Sequence, residues 1–292
     1  MDQERATIWA TIIVVGTGLL WGFYWIPVRE LDALGLPGAW GTLAITGAAA
    51  LVLVPFLARQ PRVFRRSDKG ALAAIALGGA AFALYSIGFV YGHVAIIILL
   101  WYLTPVWSTL IARFVMGWDT PGLRLVAIGF GLVGLIVMLS AGGEVPLPQG
   151  IGEWMALAAG FLWSIATTGI RVRPKVAPLE AALVFALGAA LTSAVLAPTL
   201  SAAPQDAQWT LAALWALASG ALFWGPAMAL LLWATMQLDP ARVGILLMSE
   251  VLVGVASAAV IAGETLNPTE LIGGALVVAA AVLEVWPVKR RG

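Results

Sequence analysis

With 292 residues, 61% apolar side chains, 11% charged ones and a mean hydropathy of +0.97, the chain carries more apolar surface than a water-soluble core can hide. A bilayer is its solvent, and because backbone groups must be satisfied inside lipid, its spanning elements are helices. The absence of cysteine excludes disulfides and thiolate metal sites, and a formal net charge of +1 selects no partner.

Ten apolar runs follow one another, each near the roughly 20 helical residues that cross a bilayer core of about 30 Å. They cover residues 7–28, 37–57, 70–92, 94–116, 122–141, 151–170, 179–200, 211–233, 241–262 and 269–287. Breakers separate them: Pro37-Gly38, Pro61, Pro121-Gly122, Pro146 and Pro148, Pro174 and Pro178, Pro204, Pro240 and Pro268. The junction at Gly92-His93 has no proline. The first run follows Asp2, Glu4 and Arg5 and has no small-residue cleavage site, so it reads as an uncleaved first helix.

Basic residues sort by side. If every run crosses once, Arg5, Arg59, Arg62, Arg65, Arg66, Lys69, Arg113, Arg124, Arg171, Arg173, Lys175, Arg242, Lys289, Arg290 and Arg291 share one face. The other face receives Arg29 alone, with Asp32, Glu144, Glu153, Asp206, Glu264 and Glu270 lacking basic neighbours. The positive-inside rule then places both termini in the cytoplasm. The cationic stretch from Arg59 to Lys69 reads as a solvated turn drawn to acidic headgroups of the membrane lipids.

The two halves echo each other. Ala95–Trp118 overlies Ala241–Glu264 without a gap at an offset of 146, each helix ending in a glycine, Gly117 or Gly263. At an offset of 142, Gly18-Leu19-Leu20-Trp21-Gly22 overlies Gly160-Phe161-Leu162-Trp163-Ser164, and Arg29 overlies Arg171. Five crossings per half force the second repeat to insert upside down. The expected fold is an all-α integral membrane protein of ten transmembrane helices in two inverted five-helix repeats, residues 1–145 and 146–292. Such repeats are the usual scaffold of alternating-access carriers, with substrate near the midplane.

Tryptophan marks the candidate site. Trp9, Trp40, Trp118, Trp154, Trp209 and Trp286 fall at expected interfaces, whereas Trp21, Trp101, Trp107, Trp163 and Trp224 lie deeper, where an indole N–H needs a partner. At helical spacing Trp21 shares a face with Thr17 and Tyr24, Trp101 with Thr104 and Ser108, and Trp163 with Thr167. Core packing is the competing reading for each ring. Tyr85 and Ser86 sit mid-run, and a cavity walled by indole and phenol rings suits a flat apolar solute.

Glu250 is the carboxyl well inside a span, about 14 Å from the nearer end of its run. It is either a proton or amine site, or a neutral acid bonding across a helix interface. His93 lies at an external turn. Pro105 and Pro226, mid-run, interrupt backbone bonding and permit bending, while Ala44, Ala48, Ala182, Ala186 and Ala190 read as packing contacts. No GxxxxGK[ST], HExxH or GxSxG motif is present, so no nucleotide, metal or other cofactor is expected and nucleic acid is not a partner.

The second half, with Pro240-Ala241-Arg242, Leu246-Leu247-Met248-Ser249-Glu250, Gly263-Glu264-Thr265-Leu266-Asn267-Pro268 and Gly273-Gly274, resembles an EamA domain, and the first half a more degenerate copy. The chain as a whole resembles the drug/metabolite transporter superfamily and is similar to bacterial aromatic amino-acid exporters of the YddG type. That resemblance implies a basket-shaped carrier exporting aromatic and some neutral amino acids across the bacterial inner membrane. The family's Glu-Pro pair is split here, with Glu250 before Val251 and Thr104 before Pro105, and its Gly-Glu pair becomes Gly117-Trp118 in the first half.

The expected protein is therefore a carrier, not an enzyme, able to enclose its cavity as a monomer. Rings of the solute would stack on Trp21, Tyr24, Tyr85, Trp101 and Trp163, and its polar groups would meet Thr104, Thr167, Ser249 or Glu250. The rivals are a multidrug or lipophilic-cation exporter using Glu250, and a lipid-modifying membrane enzyme using His93 with Glu250.

Overall fold

The computed structural model describes residues 3–58, 68–117, 122–140, 147–173, 176–235, 237–238, 246–247 and 249–285. Every regular element among them is helical. The first three runs are α1 (Gln3–Trp21) with α2 (Trp25–Ala33), α3 (Ala39–Ala58) and α4 (Lys69–Tyr91). The fourth is α5 (Val94–Trp101), α6 (Thr104–Leu110) and a π-helical turn (Ile111–Val115); the fifth is α7 (Gly122–Leu139). The second half holds α8 (Ile151–Arg171), α9 (Pro178–Leu200), α10 (Trp209–Ser219) with a π-helical turn (Gly220–Trp224), α11 (Pro226–Thr235), α12 (Ser249–Ile261) and α13 (Pro268–Val285).

Each of the ten apolar runs thus contains helix. Among the described residues, four stretches are long and apolar enough to cross a membrane: Glu4–Ala33, Lys69–Tyr91, Val94–Val115 and Pro178–Leu200. Shorter apolar helices cover Ala39–Pro55, Leu125–Leu139, Trp209–Trp224, Ser249–Ile261 and Pro268–Ala280. Leu187, Leu191 and Val195 on α9, Leu211, Leu214 and Leu217 on α10, and Leu252 and Val260 on α12 are exposed, an apolar belt that suits lipid.

Three runs expected as continuous helices are broken, each for a local reason. The first turns over at Gly22–Tyr24 through short bonds from Phe23 N to Leu20 O and Tyr24 N to Trp21 O. There Gly22 lies against Val253 and Gly254, where a Cβ would collide. Ser257 of α12 holds the break, accepting from Trp25 Nε1 at 3.0 Å and lying 3.2 Å from Gly22 O.

The fourth run breaks at Tyr102-Leu103 because Pro105 has no N–H for the Trp101 carbonyl one turn back. The Thr104 hydroxyl takes that carbonyl instead, at 2.6 Å. The continuous face expected for Trp101, Thr104 and Ser108 is therefore interrupted. In the eighth run Pro226 likewise begins a helix, after a π-helical turn closed by Gly225 N on Gly220 O. Both prolines start segments where mid-helix bends were expected.

Packing follows small residues. α4 packs on α8 and α9, α3 on α9 and the α10 π-turn, α1 on α11 and α12, α5 on α8 and α12, and α7 on α13. Gly79 abuts the Phe185 carbonyl and Gly188 abuts Ala76, so α4 and α9 approach more closely than any Cβ would permit. Gly117 and Gly263, matched at the 146-residue offset, both adopt a left-handed backbone, with φ of +67° and +65°.

Several sequence features lie outside the described residues: Arg59 to Arg66, Trp118, Glu144, Lys175, Arg242, Trp286 and the terminal Lys289, Arg290 and Arg291. The start of the ninth run, 241–245, lies there too, so Glu250 belongs to the first turn of the described α12.

Candidate functional site

At the centre of the bundle stands Phe82 of α4. Its ring centroid lies 4.9 Å from Trp224, 5.5 Å from Tyr24 and Tyr85, 5.7 Å from Trp21, and 6.0 Å from Trp101 and Phe185. Trp101 stacks on Tyr85 at 4.7 Å and 26°, and reaches Trp163 at 5.4 Å. All five rings anticipated from sequence, Trp21, Tyr24, Tyr85, Trp101 and Trp163, are thus drawn into one cluster. Phe82, Phe185 and Trp224 join them from α4, α9 and the α10 π-turn, so both halves contribute.

In this arrangement the rings face one another. Tyr24 and Tyr85 are each only 1% exposed. The indole of Trp21 donates to Phe223 O at 3.2 Å. That of Trp224 donates to the Tyr24 hydroxyl at 3.1 Å, which sits 3.1 Å from Ser86 Oγ, itself 2.9 Å from Thr42 Oγ1. Trp224 can only donate, so the Tyr24 oxygen accepts there, and either hydroxyl of the Tyr24–Ser86 pair can supply the hydrogen between them.

The hydroxyls anticipated beside the rings bond back to carbonyls three or four residues earlier in the chain, and Ser249 Oγ also lies 3.4 Å from Val15 O of α1. Thr104 Oγ1 donates to Trp101 O at 2.6 Å, Thr167 Oγ1 to Trp163 O at 2.8 Å, and Ser249 Oγ to Leu246 O at 2.9 Å. Their protons committed, these oxygens offer lone pairs only.

Glu250, 4% exposed, joins the halves. Its Oε1 accepts from the Tyr85 hydroxyl at 3.2 Å, and its Oε2 lies 3.0 Å from the Tyr102 hydroxyl. Tyr102 Oη is also 3.0 Å from Leu247 O.

Arg29 and Glu264, assigned to one face by the charge count but with no basic neighbour expected for Glu264, form an ion pair at 2.9 Å. Arg29 also donates to Phe89 O and Gly92 O, and the Glu264 carboxylate accepts the backbone N–H groups of Val94 and Ala95. The anion caps the start of α5 and the cation caps the end of α4, as their helix dipoles favour. Arg29 therefore has a partner on its own face. His93 beside them is exposed and its side chain makes no capping bond.

On the opposite end Asp68 caps α4, accepting from Ala71 N at 2.7 Å, and meets Arg173 at 3.3 Å. The Ala71 N–H first, and then Arg173, hold its carboxyl below the usual range.

Phe82 was readable from its i, i+3 spacing to Tyr85. Tyr102 was not, because on a continuous helix it would point about 100° away from Trp101. Only the Pro105 break lets both reach the cluster and Glu250.

Residues 150–286 match the model of the EamA-like transporter family. No curated protein matches the chain. A solved structure titled only as the crystal structure of a protein superposes with a TM-score of 0.62 at 20% identity, covering 94% of this chain and 95% of its own. At that identity the likeness shows a shared fold and nothing of function. The second half of the chain thus matches the EamA-like transporter family, and the match supports a membrane transporter of the drug/metabolite transporter superfamily.

Proposed function

We propose that the protein is a secondary carrier that exports aromatic and other neutral amino acids across the bacterial inner membrane by alternating access between two inverted repeats, residues 1–145 and 146–292. Both termini lie in the cytoplasm, and one chain suffices. The observation that carries this reading is the ring cluster around Phe82, built from both halves and edged by hydroxyls that present only lone pairs. When the cluster parts, a solute ring takes the place of one protein ring against Trp21, Tyr24, Tyr85, Trp101 or Trp163. The solute's ammonium group donates to Thr104, Thr167 or Ser249, and Glu250 faces its remaining polar groups.

The repeat reading has packing behind it. Under the pairing of first with sixth runs, second with seventh, and so on, the α4–α8 contact corresponds to α11–α1, α4–α9 to the α10 π-turn on α3, and α5/α6–α8 to α12–α1. The matched left-handed glycines add to it.

The test is efflux of preloaded labelled phenylalanine from proteoliposomes. Saturable flux is expected, and no saturable flux above empty liposomes removes the proposal. A second reading, export of lipophilic cations, draws on the absence of a basic partner for Glu250 among the described residues.

A further inference from the structure

The hydrogens around Glu250 bear on its protonation state. Tyr102 Oη has one hydrogen but stands 3.0 Å from two oxygens, Leu247 O and Glu250 Oε2. A carbonyl can only accept, and so can an ionised carboxylate. With Glu250 ionised, both close contacts must share that single hydrogen in a three-centre bond beside a buried charge. With a proton on Oε2, the carboxyl donates to Tyr102, Tyr102 donates to Leu247 O, and Tyr85 donates to Oε1. Placing the proton on Oε1 would strand the Tyr85 hydrogen and leave Tyr102 still short. The Oε2 proton gives each of the three contacts a hydrogen of its own.

The surroundings agree. The titratable groups facing Glu250 are Tyr85 from α4 and Tyr102 from the break between α5 and α6, with Tyr24 beyond Tyr85. Of the helices that meet α12, α5 carries no charged residue, α1 carries only Glu4 and Arg5 in its first turn, α4 carries only Lys69 at its start, and α2, which reaches Ser257 through Trp25, carries Arg29, Glu30 and Asp32. No described cation balances a buried negative charge here, and Arg29 is engaged by Glu264.

We propose that Glu250 is a proton-binding site, loaded in this packed arrangement, whose proton bridges Oε2 and Tyr102 Oη and ties α12 of the second half to α4 and the α5/α6 break of the first. Releasing the proton leaves a buried charge and an unfilled contact, so the unloaded site favours separation of the halves. A carrier built this way exchanges an entering proton for a leaving solute. That consequence rests on the carrier reading; the proton itself does not.

Two measurements test it. Infrared titration of the purified chain in nanodiscs, without substrate, should show a protonated-carboxyl stretch at neutral pH that is absent in Glu250→Gln and displaced in Tyr102→Phe. Identical wild-type and Glu250→Gln spectra overturn the site, and a band unmoved in Tyr102→Phe overturns the placement of the proton. Should Glu250→Gln fail to yield a monodisperse protein, wild type and Tyr102→Phe still decide. In proteoliposomes clamped at zero potential, an opposing gradient of one pH unit should sustain about tenfold solute accumulation for one-for-one exchange, and none in Glu250→Gln. Saturable wild-type flux indifferent to the gradient overturns the exchange while the carrier reading stands; absence of any flux overturns the carrier reading alone.

Discussion

Arg29 and Glu264 lie 235 residues apart in the chain and 2.9 Å apart in space. The side chains are 32% and 8% exposed, so removing the cation leaves a largely buried carboxylate with only two backbone donors. Arg29→Ala should cost about 1–3 kcal/mol, toward the low end because water still reaches the guanidinium. Glu264→Gln keeps one acceptor oxygen and should cost less. Denaturation in mild detergent measures both, and a double-mutant cycle should return a coupling of about 0.5–3 kcal/mol.

Phe82 touches six rings, and its loss opens a cavity no neighbour can fill. Phe82→Ala should destabilise by about 3–5 kcal/mol. Trp101→Phe keeps an aromatic face against Tyr85 and should retain aromatic-solute efflux, whereas Trp101→Leu should lower it severalfold at unchanged expression. Equal efflux in the two Trp101 variants would remove that ring from the solute's path.

Glu250→Gln separates the two transport readings. A lipophilic cation needs the negative charge, so its export should fall to the level of empty liposomes. Neutral amino-acid exchange at equal pH on both sides should slow, since the amide still accepts from Tyr85 and donates to Tyr102 and so holds the packed arrangement, but it should stay above the level of empty liposomes. Side-by-side efflux of phenylalanine and a cationic dye makes the comparison.

Asp68 gives a pH signature outside the membrane. Its folded carboxyl titrates below the unfolded value because Ala71 N–H and Arg173 favour the anion. The stabilisation is therefore full above the unfolded carboxylate range and is lost as pH falls through the folded value. Asp68→Asn keeps the cap and loses the charge, so its thermal midpoint should lie below wild type at neutral pH and converge with it in acid. Asp68→Ala should lie below both at neutral pH.

Hydropathy and proline placement made the helical runs legible, because both act over a single helix. The ring set was legible for a similar reason: Trp21, Trp101 and Trp163 each share a helical face with hydroxyls on an otherwise apolar run, and Tyr85 sits mid-run. What periodicity concealed were the helix breaks, since it assumes an unbroken 3.6-residue ladder. Tyr102 was missed on that account, and the Arg29–Glu264 pair because sorting charge by side cannot tell which elements meet across a face. Trp40, expected at an interface, is half-buried and packs against the core, a contact that hydropathy along one helix cannot show.

The interruptions at Gly22–Tyr24, Tyr102-Leu103 and Gly225 all flank rings of the Phe82 cluster. Backbone bonds absent from the resting ladder need not be ruptured when a helix flexes there. The molecule is consequently pliable at the depth of its aromatic residues, while α4 and α9, unbroken over 23 residues each, behave as struts. Under the proposed carrier function, hinges and cargo would occupy the same plane, so a bound ring would feel each swing of the halves and bias it directly.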